Sequence, residues 1–289
     1  MQPFKLIALI GKYKSPEIAA PLLELASYLE TRGVRVVLDP LTAAYVTRNS
    51  YTVQPLEEIG KTADLAVVIG GDGTMLNIAR TFAPYDVALV GVNQGRLGFL
   101  TDLSMETMLE SVGSMLDGNF VTEPRMLLQA EVVRADDRVK EVLAFNDVSI
   151  NKGADGSLIE IEVHIDGQFV YNLRSDGLIV ASPTGSTAYA LSSGGPIVHP
   201  AVNLLSLVPV CPHTLSNRPI VVSAESVIEI TIHKAADARA HFDSHSHSDL
   251  QEGDKVIVRR CAHPIRLLHP LGHNYYHMLR EKLHWSETL

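Results

Sequence analysis

The sequence predicts an α/β domain followed by an all-β domain, with a C-terminal helix that packs back on the first domain. Over residues 1–121, uninterrupted apolar runs alternate with segments of helical pattern. From residue 122 onward, apolar and polar residues alternate one by one, and residues 274–283 return to a helical pattern. We therefore expect domains at residues 1–121 and 122–273, with residues 274–289 joining the first.

The elements of the first domain follow one another as strand and helix. The apolar runs that predict strands are residues 4–10, 34–38, 64–69 and 87–92. The segments that predict helices are residues 16–31, 74–82 and 104–116. For the first helix, Ser15 is in position to cap the N-terminus, Pro16 suits the first turn, and Gly33 follows the end. Uninterrupted apolar strands that alternate with helices indicate a parallel sheet covered on both faces.

The second half has the pattern of half-buried antiparallel strands. Residues 159–166 and 228–233 alternate Ile or Val with charged, polar or histidine side chains, which is the period of a strand with one buried face. Turn signals recur at residues 135–137, 166–167 and 252–254. No internal repeat or low-complexity linker interrupts the pattern. An all-β domain of many strands follows from these features.

The composition excludes several classes of protein. The chain has 289 residues, 46% of them hydrophobic and 20% charged, which is typical of a globular protein. Its formal charge of −9 disfavours a nucleic-acid partner. The two cysteines do not form a disulfide framework, the apolar start lacks a cleavage site, and no apolar run approaches the ~18–20 residues that span a bilayer. We therefore expect a cytoplasmic protein with no membrane partner.

The turn after the third predicted strand is the clearest candidate site. It reads Gly70-Gly71-Asp72-Gly73-Thr74 and leads directly into a predicted helix. Glycines there let main-chain N–H groups approach phosphates closely, and Asp72 places a potential base beside them. The segment matches neither the P-loop nor the dinucleotide fingerprint, so a kinase built on it would need Mg²⁺ as well. The alternative is a tight strand-to-helix turn in which Asp72 caps the helix.

Three further segments carry candidate ligand-binding residues. Asn146-Asp147 suits a ribose diol or an adenine edge, or else is a polar strand end. Residues 175–196 are dense in Ser, Thr and Gly, which suits a polar ligand on which Tyr189 could stack; the alternative is a long flexible loop. The histidines cluster late in the chain, and the spacing around Asp243 could suggest zinc, although ordinary histidines are the favoured interpretation. They are His241, His245, His247, His263, His269, His273 and His277.

Together these segments resemble the bacterial NAD kinase family, in its order and at its spacing. The resemblance includes residues 70–74, 93–102, 146–147 and 175–196, and it covers nearly the whole chain. The turn at residues 70–74 alone is shared with diacylglycerol-type lipid kinases and related sugar kinases, whereas residues 175–196 are much more specific. The resemblance implies a Rossmann-like first domain, a β-sandwich-like second domain and a homodimer or homotetramer. It also implies that ATP phosphorylates the 2′-hydroxyl of the adenosine ribose of NAD to give NADP, with Mg²⁺ or Mn²⁺ as cofactor.

The resemblance also assigns roles to individual residues. Asp72 matches the proton acceptor, and no protein ligand to the metal is assigned. Arginine at the position of Arg174 is associated with preference for NAD over NADH. The residues that match NAD contacts are Asp72, Gly73, Asn146, Asp147, Arg174, Asp176, Thr187, Ala188, Tyr189, Ala190, Leu191 and Ser192, with His245 as a further candidate. The candidates for ATP or phosphate contact are Gly70, Gly71, Gly73 and Thr74. A lipid or sugar kinase, a non-catalytic NAD(H) sensor and an NADP phosphatase remain as alternatives at this point.

Overall fold

The structure is a computed structural model that describes residues 4–13, 15–46, 51–95, 97–153, 157–235 and 237–285. The chain forms two compact units, one made of Met1–Pro124 and Ile265–Leu289 and the other of Arg125–Pro264. No helix among the described residues is both long and apolar enough to cross a membrane.

The helices and strands of the described residues are as follows. The α-helices are α1 (Ala19–Thr31), α2 (Pro40–Ala43), α3 (Leu56–Thr62), α4 (Asp72–Phe82), α5 (Met108–Leu116), α6 (Tyr189–Ser192) and α7 (Tyr275–Leu283). The strands up to the middle of the chain are β1 (Leu6–Gly11), β2 (Arg35–Leu38), β3 (Thr52–Val53), β4 (Leu65–Gly70), β5 (Ala88–Asn93), β6 (Leu103–Ser104), β7 (Phe120–Arg125), β8 (Leu128–Arg134), β9 (Asp137–Ala144) and β10 (Asp147–Lys152). The later strands are β11 (Ile159–Ile165), β12 (Gln168–Ser175), β13 (Gly177–Ala181), β14 (Leu204–Val210), β15 (Ile220–Ser223), β16 (Ile228–Lys234), β17 (Ala238–Phe242), β18 (Ser246–Leu250), β19 (Lys255–Arg260) and β20 (Ile265–Pro270).

The first unit is built on a largely parallel sheet in the order β3-β2-β1-β4-β5-β20-β7, with β6 paired to β5. Every residue of β4 and β5 is buried, which explains why these strands read as uninterrupted apolar runs. Helices α1, α4 and α5 each bury one apolar face, and their other faces are polar. The predicted α/β domain with a parallel sheet is confirmed.

Three local differences from the sequence prediction have simple causes. The helix expected from Pro16 starts as a 3-10 turn (Pro16–Ile18), and Ser15 does not cap it because its hydroxyl hydrogen-bonds the carboxylate of Glu17. The helix expected from residue 104 starts at Met108, after β6 has paired with β5. Residues 265–270 fall within the range 122–273 expected for the all-β domain, but they form β20, which pairs with β5 in parallel and belongs to the first unit.

The second unit contains two six-stranded sheets whose paired strands run antiparallel. Their orders are β15-β14-β13-β10-β17-β18 and β12-β11-β16-β19-β8-β9. Alternate residues of β11, β16 and β19 are buried in one apolar core, to which both sheets contribute. This is the sandwich-like all-β domain that the sequence predicts.

Candidate functional site

The glycine-rich turn joins the carboxyl end of β4 to the first turn of α4. Gly70 is buried, and a Cβ there would lie 2.8 Å from the hydroxyl oxygen of Thr74, so these two residues pack the turn. Gly71 is the N-cap of α4, and both Gly71 and Gly73 are exposed, with nothing within 4 Å of a Cβ built on either. The N-terminus of this eleven-residue helix therefore faces open space, and the first N–H groups of such a helix have no partner within it. Such an arrangement attracts anionic groups, phosphates above all.

Asp72 is the first residue of α4, and its half-buried side chain is held by the segment that follows β5. Its Oδ1 accepts hydrogen bonds from the N–H of Leu100 at 3.0 Å and the hydroxyl of Thr101 at 3.3 Å. Its Oδ2 accepts one from the N–H of Phe99 at 2.9 Å. Asp72 therefore does not cap its own helix, because Gly71 holds that position. A carboxylate offers about four acceptor positions, so one position on Oδ2 remains open.

The segment at residues 97–102 lies against Asp72 because two glycines allow it to approach. A Cβ on Gly98 would lie 2.1 Å from Oδ1 of Asp72, and a Cβ on Gly91 would lie 2.3 Å from the carbonyl oxygen of Leu100. The side-chain amide of Asn93 donates to the carbonyl oxygens of Thr101 and Leu103, at 3.3 and 2.8 Å. The motif at residues 93–102 thus fixes the carboxylate of Asp72. Arg96 of this motif lies outside the described residues.

In the second unit, Asn146 and Asp147 form the turn into β10, and Asp243 holds this turn. The carboxylate of Asp243 accepts hydrogen bonds from the N–H groups of Phe145 and Asn146, both at 2.7 Å, and from that of Asp147 at 3.1 Å. Asp147 is only 5% exposed, and burial, followed by the charge of Asp243, raises the pKa of its carboxyl to about 7. The side-chain amide of Asn146, unlike its main-chain N–H, has no hydrogen-bond partner within the described part of the chain, so it is available to a ligand.

The segment at residues 182–185 packs on the same turn. The N–H of Ser182 donates to the carbonyl oxygen of Asn146 at 2.9 Å. The hydroxyl of Ser182 donates to the carbonyl oxygen of Phe145 at 2.6 Å. A Cβ on Gly185 would lie 2.0 Å from the carbonyl oxygen of Asn146. Ser182 and Gly185 of this segment therefore stabilise the Asn146-Asp147 turn.

Residues 175–196 are not a long flexible loop. They form the fully buried strand β13, a 3-10 turn (Thr184–Thr187) and the short helix α6. The hydroxyls of Thr187 and Ser192 donate to backbone carbonyls of their own turns. Ala188 and Leu191 are half-buried, and Ala190 is buried.

Tyr189 of α6 has an exposed aromatic ring, with 38% of the residue's surface exposed. Burial of the rest of the side chain raises the pKa of its phenol, and the nearby charges of Asp147, Cys211 and Asp176 raise it further. Asp176 also forms an ion pair with Lys152 at 2.7 Å. The structure thus brings Asp147, Asp176 and Tyr189 into one neighbourhood, as expected for one binding surface.

The other two candidates of this unit are solvent-exposed. Arg174 is exposed on β12, and its Nε lies 3.7 Å from Oε1 of Glu160. An exposed ion pair of this kind does not hold either side chain rigidly. His245 lies in the exposed turn between β17 and β18. The zinc site considered around Asp243 is not formed, since that carboxylate binds three main-chain N–H groups. Among the described residues, the grouping of metal-binding side chains is Asp102, His269 and His273, which the spacing of the histidines did not reveal.

A large cavity elsewhere in the first unit contains none of these residues. It has a volume of about 710 Å³ and lies at the amino ends of β1 and β2, near Leu6 and Arg35. Ligands of parallel sheets bind beyond the carboxyl ends of the strands, where Gly70 and Asn93 end β4 and β5. We therefore regard the turn at residues 70–74 as the candidate site.

Comparison with known proteins assigns both units to the same protein family. The sequence model of the ATP-NAD kinase N-terminal domain matches residues 7–120, and that of the C-terminal domain matches residues 145–269. The NAD kinase of Nitrosomonas eutropha is 62% identical over 99% of this chain and 97% of its own length. That of Chromobacterium violaceum is 54% identical over 99% and 98%.

Two solved structures are also similar. A crystal structure of yeast NADH kinase complexed with NADH has a TM-score of 0.91, at 25% identity over 100% of this chain and 90% of that one. A crystal structure of an NAD kinase from Archaeoglobus fulgidus in complex with ATP has a TM-score of 0.74, at 26% identity over 96% and 99%.

Proposed function

Because the chain belongs to the ATP-NAD kinase family and phosphorylates the 2′-hydroxyl of the adenosine ribose of NAD with ATP, we propose that Asp72 accepts the proton of that hydroxyl. One observation carries this proposal. The Asp72 carboxylate is fixed by three hydrogen bonds at the mouth of an open helix N-terminus, with one acceptor position on Oδ2 still unoccupied. A sugar hydroxyl is a weak nucleophile until its proton leaves, and a positioned base contributes typically ~10²–10⁴-fold.

The hydrogen bonds to Asp72 support positioning as the larger part of catalysis. Because Phe99, Leu100 and Thr101 hold both oxygens, the carboxylate does not have to be oriented during the reaction. The hydroxyl oxygen would attack the γ-phosphorus as its proton moves to Oδ2, and ADP would leave without a phosphoenzyme. A passive NAD(H) sensor would not need a carboxylate so placed beside a phosphate-binding turn.

The triphosphate of ATP is proposed to lie against the first turn of α4. The N–H groups of Gly71, Asp72 and Gly73 at the start of the helix would supply donors for its oxygens, and the space beside Gly71 and Gly73 admits it. Gly70 and Thr74 shape the turn from behind. The turn carries one carboxylate, and its oxygens already accept three hydrogen bonds, so Mg²⁺ or Mn²⁺ is proposed to be held mainly by the phosphates. The ion would supply charge neutralisation for the transferred group.

NAD is proposed to bind Asn146 and Asp147 through its ribose and Asp176 at the nicotinamide end. The free amide of Asn146 can both donate and accept hydrogen bonds. Asp147, with a pKa of about 7, exists in both protonation states near neutrality and can donate to or accept from a diol hydroxyl. Tyr189 offers an exposed ring on which the adenine can stack. The rest of α6, Thr187 and Ala188 would line the dinucleotide, and Arg174 and His245 are exposed contacts whose side chains are free to reach it.

Substitution of Asp72 tests the central step. Asp72→Asn keeps the size of the side chain but removes the proton acceptor, and its NH2 group replaces one of the two oxygens that accept a main-chain N–H. We expect NAD binding, measured by calorimetry, to change less than about threefold while kcat for NADP formation falls at least ~100-fold. A kcat within tenfold of the parent value would rule out the base.

The oligomeric state and the location of the protein are proposed on separate grounds. From the family resemblance we expect a homodimer or homotetramer, and from the composition we expect a location in the cytoplasm, where ATP and NAD are available. Light scattering coupled to size exclusion measures the first, and fractionation of cells measures the second.

A further inference from the structure

Three side chains outside the proposed kinase site converge on one point of the first unit. Asp102 ends the segment at residues 97–102, His269 lies near the end of β20, and His273 lies in the turn before α7. The Nδ1 atoms of His269 and His273 lie 2.8 and 2.9 Å from the same oxygen, Oδ2 of Asp102. The two imidazole rings stack with centroids 3.9 Å apart. His269 is almost fully buried, with 3% of its side chain exposed.

Glu123 restricts the protonation of this group. Its Oε2 lies 3.1 Å from Nε2 of His269, and Oδ2 of Asp102 lies 2.8 Å from Nδ1 of the same ring, so a neutral imidazole donates to only one of the two carboxylates. In the tautomer that donates to Glu123, the lone pair of Nδ1 faces the carboxylate of Asp102. Two acceptors in such contact need a cation between them, either a proton or a metal ion. A carboxylate that orients a metal-ligating histidine through its other nitrogen is the arrangement found around bound transition metals.

From this geometry we infer that Asp102, His269 and His273 form a transition-metal site of the Zn²⁺ class, oriented by Glu123. The ligand atoms of the three residues lie within 4.8 Å of one another, so small side-chain movements bring all three to the ~2.0–2.2 Å of zinc coordination. Two imidazoles and one carboxylate suit Zn²⁺, Co²⁺ or Fe²⁺. They do not suit Mg²⁺, which prefers oxygen ligands and would accompany ATP. The site is thus separate from the proposed nucleotide metal.

A cavity gives the site an entrance and an open coordination position. It has a volume of about 310 Å³ and is lined by Asp102 and His273 together with Leu97, Gly272 and His277. Oδ1 of Asp102 and Nε2 of His273 are buried, and within the described residues neither has a hydrogen-bond partner. A bound metal with a water molecule in the cavity would satisfy polar atoms that are otherwise unpaired.

The position of the site gives it a consequence for Asp72. The metal would join β20 and the start of α7 to Asp102, which ends the segment whose N–H groups hold Asp72. Lys282 of α7 fastens the other end of this segment, since its Nζ donates to the carbonyl oxygen of Leu97 at 2.5 Å. We therefore expect a positioning role for the metal, in which the C-terminal segment is tied to the segment at residues 97–102.

Metal binding is measured directly, without reference to kinase activity. The full-length chain is stripped with a chelator and titrated with Co²⁺, whose visible absorption reports its ligands, and with Zn²⁺ in competition with a chromophoric chelator. We expect one equivalent to bind in the presence of excess Mg²⁺, and the melting temperature to rise with the free metal concentration. Absence of stoichiometric binding would mean that the cluster holds protons only, and the inference would be wrong.

Matched variants identify the ligands. His273→Gln and Asp102→Asn should each weaken binding at least ~100-fold, and Glu123→Gln should weaken it ~10- to 100-fold. His277→Gln is the control, because His277 lines the same cavity but is not one of the three converging residues, and its affinity should stay within about threefold. Far-UV circular dichroism of the metal-free variants separates lost ligands from lost folding. An unchanged Co²⁺ spectrum in both His273→Gln and Asp102→Asn would overturn the assignment.

Discussion

A substitution at Gly98 would disturb the proposed catalytic geometry without replacing Asp72 itself. Its φ is not positive, so alanine introduces no backbone strain there. The added methyl, however, would lie 2.1 Å from Oδ1 of Asp72 and 2.3 Å from the hydroxyl of Thr101, whereas ordinary contact begins near 3.4 Å. The carboxylate and the methyl must therefore separate by more than about 1 Å. A displacement of this size at a reacting group costs on the order of 10²-fold in rate, which is about 2.7 kcal/mol of activation free energy.

A coupled assay of NADP formation measures the effect of Gly98→Ala alone and together with Asp72→Asn. We expect kcat to fall ~100-fold in the single variant, with little change in the affinity for NAD. If Gly98 acts by placing Asp72, the second substitution adds little once Asp72 has lost its function, so the two effects are far from multiplicative. A normal kcat for Gly98→Ala would refute the placement, and full multiplication of the two effects would show that Gly98 acts by another route.

Three further predictions concern the other parts of the site. Asp243→Asn should lower the free energy of unfolding in urea by about 1–3 kcal/mol and raise KM for NAD about tenfold. The reason is that an amide cannot replace a carboxylate that accepts three main-chain hydrogen bonds. An unchanged KM would mean that this turn does not contact NAD. Asp147 has a folded-state pKa of about 7 against an ordinary value of 3.8, so the folded state binds its proton more tightly and loses stability as the pH rises from about 4 to about 7. Asp147→Asn should therefore gain stability over the parent by roughly 2 kcal/mol more at pH 8 than at pH 5 in urea unfolding, and a gap that is constant with pH would contradict the shift. Gly73→Ala adds a methyl to open space, so we expect unchanged or slightly higher stability but a KM for ATP at least about tenfold higher; a normal KM for ATP would mean that the phosphates lie elsewhere.

The sequence predicts where Asp72 lies but not what holds it. Its place after a buried strand follows from the apolar run and the glycines, and both are confirmed. Its partners are the main-chain N–H groups of Phe99 and Leu100, which every residue type except proline possesses, so no side-chain pattern points to them. The small size of Gly98 is the one signal, and it has meaning only once the distance to Asp72 is known.

Two features of the second half of the chain show the same limit. β20 begins Ile, Arg, Leu, Leu and His, a mixture of apolar and polar residues that resembles the antiparallel strands before it. It nevertheless pairs in parallel with β5. Pairing partners far apart in sequence cannot be read from local alternation. Residues 175–196 were compatible with a flexible loop because Ser, Gly and Thr favour turns. Ser182 and Gly185 are instead fixed by close contacts with the main chain of Asn146.

The insertion of β20 between β5 and β7 has a consequence for biosynthesis. The second unit is one continuous stretch, Arg125–Pro264, and emerges from the ribosome complete. The sheet of the first unit cannot be completed until Ile265–Pro270 has been synthesised, although most of that unit is translated first. Nascent chains halted before this strand would expose an unpaired, apolar sheet edge, which makes them candidates for chaperone capture.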